Sequence, residues 1–220
     1  MTPTLSPSAL FSALFSAAPP AVIDIRIPED IAADPGRFPA AWRFDHRDRD
    51  GIAAVARTGC GAVMICHGGL KLSQGVASRL RGQGIAARSL EGGVLGWRGA
   101  GLPLWPGDEA VPVRVAGWDA ASAAARWLAT RFLPRPIELL TVAPDQVEGA
   151  AARFDGDALP DARALLDRLD RPVPRLAAAL EAAATPLFAR LAAGHEAGGD
   201  DGAAVFADLD ALLRAPEMVA

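Results

Sequence analysis

Residues 62–73 read AVMICHGGLKLS, and the order of parts in this stretch decides the fold. Its first four residues are apolar and β-prone, as a buried strand requires. Cys66 closes that run, Gly68 and Gly69 follow, and beyond Lys71 the segment SQGVASRLRGQG spaces its apolar residues as a helix opening near Ser73. Val76, Leu80 and the neighbouring alanines form the apolar face, and Gly82 and Gly84 end the helix. Strand, sharp loop and helix in that order carry a thiol to the C-terminal end of a strand, where open α/β sheets bind their ligands. Working outward, residues 22–25 read as a second buried strand and residues 85–90 as a shorter third. Such alternation predicts an α/β fold with a parallel sheet flanked by helices.

The loop has the ingredients of a nucleophile site. Gly68 and Gly69 let the backbone turn its N–H groups inward as an anion nest, and the helix dipole adds about half a positive charge at the same place. Lys71 is the only lysine of the chain. A thiolate at Cys66 would be stabilised by the nest and by Lys71, which lower a cysteine pKa from its ordinary value of about 8.5. His67 is read either as an aid to proton transfer or as loop lining. Cys60, at the other end of the strand, is read as structural. A strand between the two cysteines holds them about 20 Å apart, too far for a disulfide. Free thiols point to a reducing compartment.

At this point the residues resemble the rhodanese (sulfurtransferase) family over about 21–104. The matching parts are VIDIR, with Asp24 and Arg26; the loop CHGGLKLS; and LEGGVLGW followed by GLPL, in which Leu90, Glu91, Gly92, Gly93 and Trp97 keep their register. The resemblance implies a rhodanese-like α/β sheet. It also implies that Cys66 attacks a sulfane sulfur, carries it as a persulfide held by the N–H groups of His67, Gly68, Gly69, Leu70 and Lys71, and passes it to a thiol or cyanide. In that family four residues between the cysteine and the basic position make a cradle sized for sulfur, and five make one sized for phosphate or arsenate. Counted to Lys71, this loop is the short form. It departs from the pattern in having Lys71 for the commoner arginine, Leu72 where a small hydroxyl residue is usual, and Arg37 and Ala40 in GRFPAAW for a histidine and a glycine.

Composition sets the frame around this site. The chain has 220 residues, 51% hydrophobic and 22% charged, which suits an ordinary globular protein with room for two domains. Its formal charge is −4, with no basic footprint for nucleic acid. Residues 1–117 carry 12 basic against 10 acidic side chains and residues 118–220 carry 10 against 16, so only the first half suits an anion. Three prolines and two glycines in GLPLWPGDEAVPVR place a linker at 105–117 between a first domain at 1–104 and a smaller, mostly helical second domain at 118–220. The expected second-half elements are helices at 120–132, 162–169, 175–184 and 203–213, a strand at 137–142 and a loop at 194–202.

The second half is similar to the C-terminal domain of chromate-resistance (ChrB-type) proteins through Arg126, Trp127, Leu128, Arg131, Phe132 and the strand IELLTVAPDQVEGAAARF. Ala121, Ser122 and Ala125 stand where that family has an Asp-Arg pair and a cysteine, and FDGDALPDARALL replaces its histidine-rich segment. This implies a shortened, inactive version that offers a surface to a protein partner.

No apolar stretch approaches the ~20 residues of a membrane helix. The N-terminal TPTLSPSALFSALFSAAPPA lacks the positive region of a signal peptide. It predicts a surface helix capped by Ser6 with Pro7 at the first position and Leu10, Phe11, Leu14 and Phe15 on one face. Cytoplasmic residence is expected. His195, Glu196, Asp200 and Asp201 lack metal-ligand spacing, so no metal or cofactor is expected. HRDRD at 46–50 reads as a solvated charged turn. The five tryptophans read as core or interface residues.

The reading that results is a sulfurtransferase with Cys66 as catalytic residue, a small anionic sulfur donor, and a small-molecule or protein thiol as acceptor. The alternative is a non-catalytic sulfur- or redox-sensing module linked to chromate or oxyanion resistance.

Overall fold

A computed structural model describes residues 3–16, 18–106, 113–116, 128, 131–135, 139–142 and 166–178. The chain runs through β1 (Thr4–Leu5), α1 (Pro7–Leu14), β2 (Ala21–Asp24), α2 (Pro28–Ala33), β3 (Ala41–Arg43), α3 (Arg49–Ala56), β4 (Ala62–Ile65), α4 (Lys71–Gly82), β5 (Ala87–Leu90), α5 (Gly93–Gly99), β6 (Val113–Ala116) and β7 (Leu139–Val142). The first five strands form one sheet in the order β1-β5-β4-β2-β3, with every pair parallel. This is the expected α/β class. β6 and β7 form a separate parallel pair.

The alternation of side chains along β2 and β4 divides the core in two. Val22, Val63 and Ile65 face α1 and α5. Ile23, Ile25, Met64 and Cys66 face α3 and α4. Both strands are buried along their whole length, which is why they read as continuous apolar runs. β4 spans the residues expected of it, and β2 and β5 lie within two residues of theirs.

Three expectations need correction. The N-terminal helix has the expected Ser6 cap, whose hydroxyl accepts from Ala9 N at 3.3 Å, but it is a core element. Its Leu10, Phe11, Leu14 and Phe15 are all buried, each contributing about 1.5–3 kcal/mol. Second, the charged run at 46–50 is a turn only in part. Asp48 accepts from Gly51 N at 2.9 Å and caps α3, whose Ile52, Ala53 and Ala56 fill the core. Third, α4 opens at Lys71, two residues earlier than its polar pattern suggests.

Residues from 128–135 and 166–177 pack on the first half. Phe132 is fully buried and sits 5.7 Å from Phe11, 5.6 Å from Phe15 and 6.1 Å from Trp105, ring centre to ring centre. Trp105 Nε1 donates to Phe132 O at 2.7 Å, and Leu128, Leu133, Leu166 and Leu176 join the same apolar cluster. Arg98 pairs with Asp34 at 2.8 Å and with Asp170, whose carboxylate also accepts from Leu104 N at 2.7 Å. Trp97 and Trp105 are core residues, as expected, and Trp42 is half-buried. β6 falls in the segment read as a linker. The helices expected at 203–213, over most of 120–132 and 175–184 and over half of 162–169, the loop at 194–202 with His195, Glu196, Asp200 and Asp201, and most of the ChrB-like motif lie outside the described residues. Among the described residues, no helix is long and apolar enough to cross a membrane.

Candidate active site

β4 is the middle strand of five, so its C-terminal end is enclosed by the ends of β2 and β5. Asp24 and Ile65 are register partners there, and Ile25 N donates to Ile65 O at 2.8 Å. Cys66 follows directly and is 5% exposed. Its thiol donates to Ser73 Oγ at 3.1 Å, and the Ser73 hydroxyl donates to Leu70 O at 3.3 Å. Ser73 is fully buried on the first turn of α4. A hydroxyl can both donate and accept, so on loss of the thiol proton it can turn from Leu70 O to the sulfur.

Sequence reasoning missed Ser73. Leu72 stands at the position where the resemblance has a hydroxyl, and the hydroxyl that meets the thiol comes one residue later.

The loop is shaped by contacts with the turn after β5. Val94 N donates to Cys66 O and Leu95 N to His67 O, each at 3.1 Å. A trans peptide points its N–H opposite to its C=O, so the N–H groups of His67 and Gly68 face away from α5. Among the described residues, the N–H groups of His67, Gly68, Gly69 and Leu70 make no hydrogen bond. Four successive donors near a thiol, at the N-terminus of a twelve-residue helix, are unused, and those of His67 and Gly68 face away from α5.

Two glycines make this packing possible. Gly69 has φ +66° and Gly93 has φ +56°. A Cβ on Gly93 would lie 2.2 Å from Cys66 O and 2.4 Å from Gly69 N, and one on Gly69 would lie 2.5 Å from Gly93 N and from Leu90 O. The glycines of CHGGLK and LEGG are thus two sides of one contact.

The remaining site residues are less enclosed. His67 is half-buried, and its Nδ1 is buried without a hydrogen-bond partner. Leu70 is 67% exposed. Lys71 is the first residue of α4, with its side chain exposed and in no ion pair among the described residues. Gln74 supports the loop, Nε2 donating to Gly69 O at 3.0 Å. Cys60 lies at the other end of β4, as expected, but its thiol is exposed, so it is not a packing residue of the core.

Asp24 and Arg26, at the end of β2, form a buried structural pair. Arg26 Nη2 donates to Asp24 Oδ2 at 2.7 Å and to Gly36 O at 2.7 Å, and Nη1 donates to Asp34 O at 2.8 Å. The guanidinium ties the strand to the chain beyond α2. Arg98 beside Asp34 holds that carboxyl below the usual carboxylate range, against the opposing effect of burial. Among the described residues, no cluster of His, Cys, Asp and Glu is arranged to hold a metal ion.

No protein-family model matches this sequence, and no curated protein matches it. Among solved structures, the chain is similar to a rhodanese-related protein from Thermoplasma volcanium, at 19% identity over 47% of this chain and 97% of that one, with a TM-score of 0.40. It is also similar to a rhodanese-like domain protein from Staphylococcus aureus, at 25% identity over 44% of this chain and 91% of that one, with a TM-score of 0.35. A third is thiosulfate sulfurtransferase from Pseudomonas aeruginosa, at 24% identity over 50% of this chain and 20% of that one, with a TM-score of 0.40. These structural neighbours cover about half of the chain.

Proposed function

We propose that this protein is a rhodanese-type sulfurtransferase that works through a Cys66 persulfide. The observation that carries the reading is the run of unused N–H donors at residues 67–70 around a buried thiol held by Ser73. In the first step the Cys66 thiolate attacks the outer sulfur of thiosulfate or a persulfide. The new S–S bond forms as the donor's own S–S bond breaks, and with thiosulfate the leaving group is sulfite. The terminal persulfide sulfur carries the negative charge, which the loop amides stabilise without reorganising. In the second step an acceptor thiol takes the outer sulfur, its proton passes to the transferred sulfur, and Cys66 returns as thiolate. Cyanide takes the same sulfur as thiocyanate. The donor is a small anion, the acceptor a small-molecule or protein thiol, and the setting a reducing, cytoplasmic one. The second half serves as a surface for a protein partner.

The test is intact mass after incubation with thiosulfate, for the native chain and for Cys66→Ala, followed by a thiol chase. The reading expects a gain of about one sulfur atom that requires Cys66 and disappears on the chase. A gain that persists through the chase favours the sulfur-sensing module, and no gain with thiosulfate or a persulfide donor sinks both.

A further inference from the structure

Among the described residues, the large apolar side chains left exposed are those of Leu70, 67% exposed, and Leu95, 55% exposed. Both border the loop that follows Cys66. Leu70 is its last residue before α4, and a Cβ on Gly68 would meet Leu70 Cδ1 at 3.8 Å, so the side chain lies beside Gly68. Leu95 belongs to α5, whose Val94 and Trp97 take the buried face, and its N–H donates to His67 O at 3.1 Å. One leucine thus borders the loop from the start of α4 and the other from α5.

The core uses neither side chain. A single exposed apolar residue is ordinary, but two beside one reactive loop, and no other large ones among the described residues, mark a contact surface. Each is more than half exposed, so it projects outward instead of lining a pocket, and a small thiol would cover little of either. A protein surface resting on the loop covers both. Lys71, next to Leu70, and Glu91, just ahead of the α5 turn, are also exposed, which gives an apolar centre with charged neighbours, as protein interfaces have. Cys66 itself is 5% exposed, so an acceptor must come down onto this loop to reach its sulfur.

We propose that Leu70 and Leu95 select the sulfur acceptor, a cysteine on a partner protein that is flanked there by apolar side chains. This rests on the persulfide reading of Cys66 and adds to it the kind of thiol that is served.

The test loads the full chain with sulfur from thiosulfate, removes the donor, and chases the persulfide with two short uncharged peptides, one with Leu-Cys-Phe at its centre and one with Ser-Cys-Ser. The peptide thiol takes the outer sulfur as the S–S bond to Cys66 breaks, its proton passes to the transferred sulfur, and Cys66 leaves as thiolate. Each rate, read as the peptide's mass gain of one sulfur atom, is divided by the same peptide's rate with glutathione persulfide, which removes differences in thiol reactivity. The apolar peptide should be favoured about tenfold, the effect of covering part of two leucines. In Leu70→Ser and in Leu95→Ser the preference should fall to about threefold, and in the double variant it should vanish. The readout is a ratio within each protein, so a variant that loads slowly still reports. Equal rates for the two peptides in the native chain, or a preference that survives the double variant, overturn the proposal and leave sulfur transfer standing. A preference for benzyl mercaptan over glutathione as large as that for the apolar peptide would assign the leucines to a small thiol and overturn the protein partner. No sulfur uptake by the native chain overturns the transfer reading and this proposal with it.

Discussion

Gly93 stands so close to Cys66 that a Cβ on it would lie 2.2 Å from the Cys66 carbonyl oxygen. The contact joins the turn after β5 to the loop after β4, and it orients the peptides that aim N–H groups away from α5. Gly93→Ala both clashes and strains a backbone at φ +56°. The loop must move, and a displacement of about 1 Å at a reacting centre is worth roughly a hundredfold in rate. Persulfide formation by Gly93→Ala should therefore fall about a hundredfold or more by timed intact mass. A variant within tenfold of native would show that the interlock does not shape the nest.

In the proposed sulfur transfer Ser73 works through Cys66, whose thiol donates to its hydroxyl, as a positioning residue. Ser73→Ala removes the hydroxyl that accepts from the thiol and can donate to the thiolate. A hydrogen bond to a charged group contributes about 1.5–3 kcal/mol, so sulfur uptake at neutral pH should slow by roughly tenfold or more. Ser73→Thr keeps the hydroxyl and should recover most of the rate. Equal loss in both variants would assign the residue to packing instead.

Ala40 is the one described residue other than glycine with positive φ, at +57°. This explains why a glycine is expected at this position of GRFPAAW: a Cβ in the left-handed region costs about 1–2 kcal/mol. Its N–H is held by Phe132 O at 3.2 Å, a contact that keeps the strained conformation in place. Ala40→Gly should leave stability unchanged or raise it by up to about 1 kcal/mol in chemical denaturation, the relief of strain being partly offset by glycine's larger chain entropy. A loss of more than that would mean the methyl group packs.

Phe132 packs against Phe11 and Phe15 of the α1 segment. Phe132→Ala leaves a cavity among Phe11, Phe15 and Trp105 and should cost about 3–5 kcal/mol by the same measurement. The result to set against this is a cost below about 1 kcal/mol, which would detach residue 132 from the core.

Asp34 carries a pH signature. Its carboxyl titrates below the usual range because of Arg98, so the stability it contributes is present above the unfolded-state value of about 3.9 and is lost as pH falls through the lower folded-state value. The melting temperature of the native chain should fall more steeply than that of Asp34→Asn on acidification below about pH 4. Parallel curves for the two proteins would remove Asp34 from the acid response.

The residues 62–65, AVMI, announce a buried strand because every one of them faces a covered side of a parallel sheet, and no neighbour in space is needed to see it. The same holds for AVID at 21–24, and for the amphipathic pattern of α4. Thr4–Leu5 gave no such sign. β1 exists through its pairing with β5, where Thr4 meets Ser89 and Leu5 meets Leu90, and pairing is invisible in two residues of chain. α3 hid behind its own cap, since HRDRD looks solvated until Ile52 and Ala56 are seen in the core. At the site, Cys66 and its glycine-rich loop were legible because a thiol at a strand end before a helix is a local arrangement. Ser73 and Gly93 were not, in the roles they play. One meets the thiol through the turn of a helix, the other across the gap between two strand ends. Contacts of that kind follow from how the chain closes on itself, whereas propensity and periodicity report only on neighbours along it.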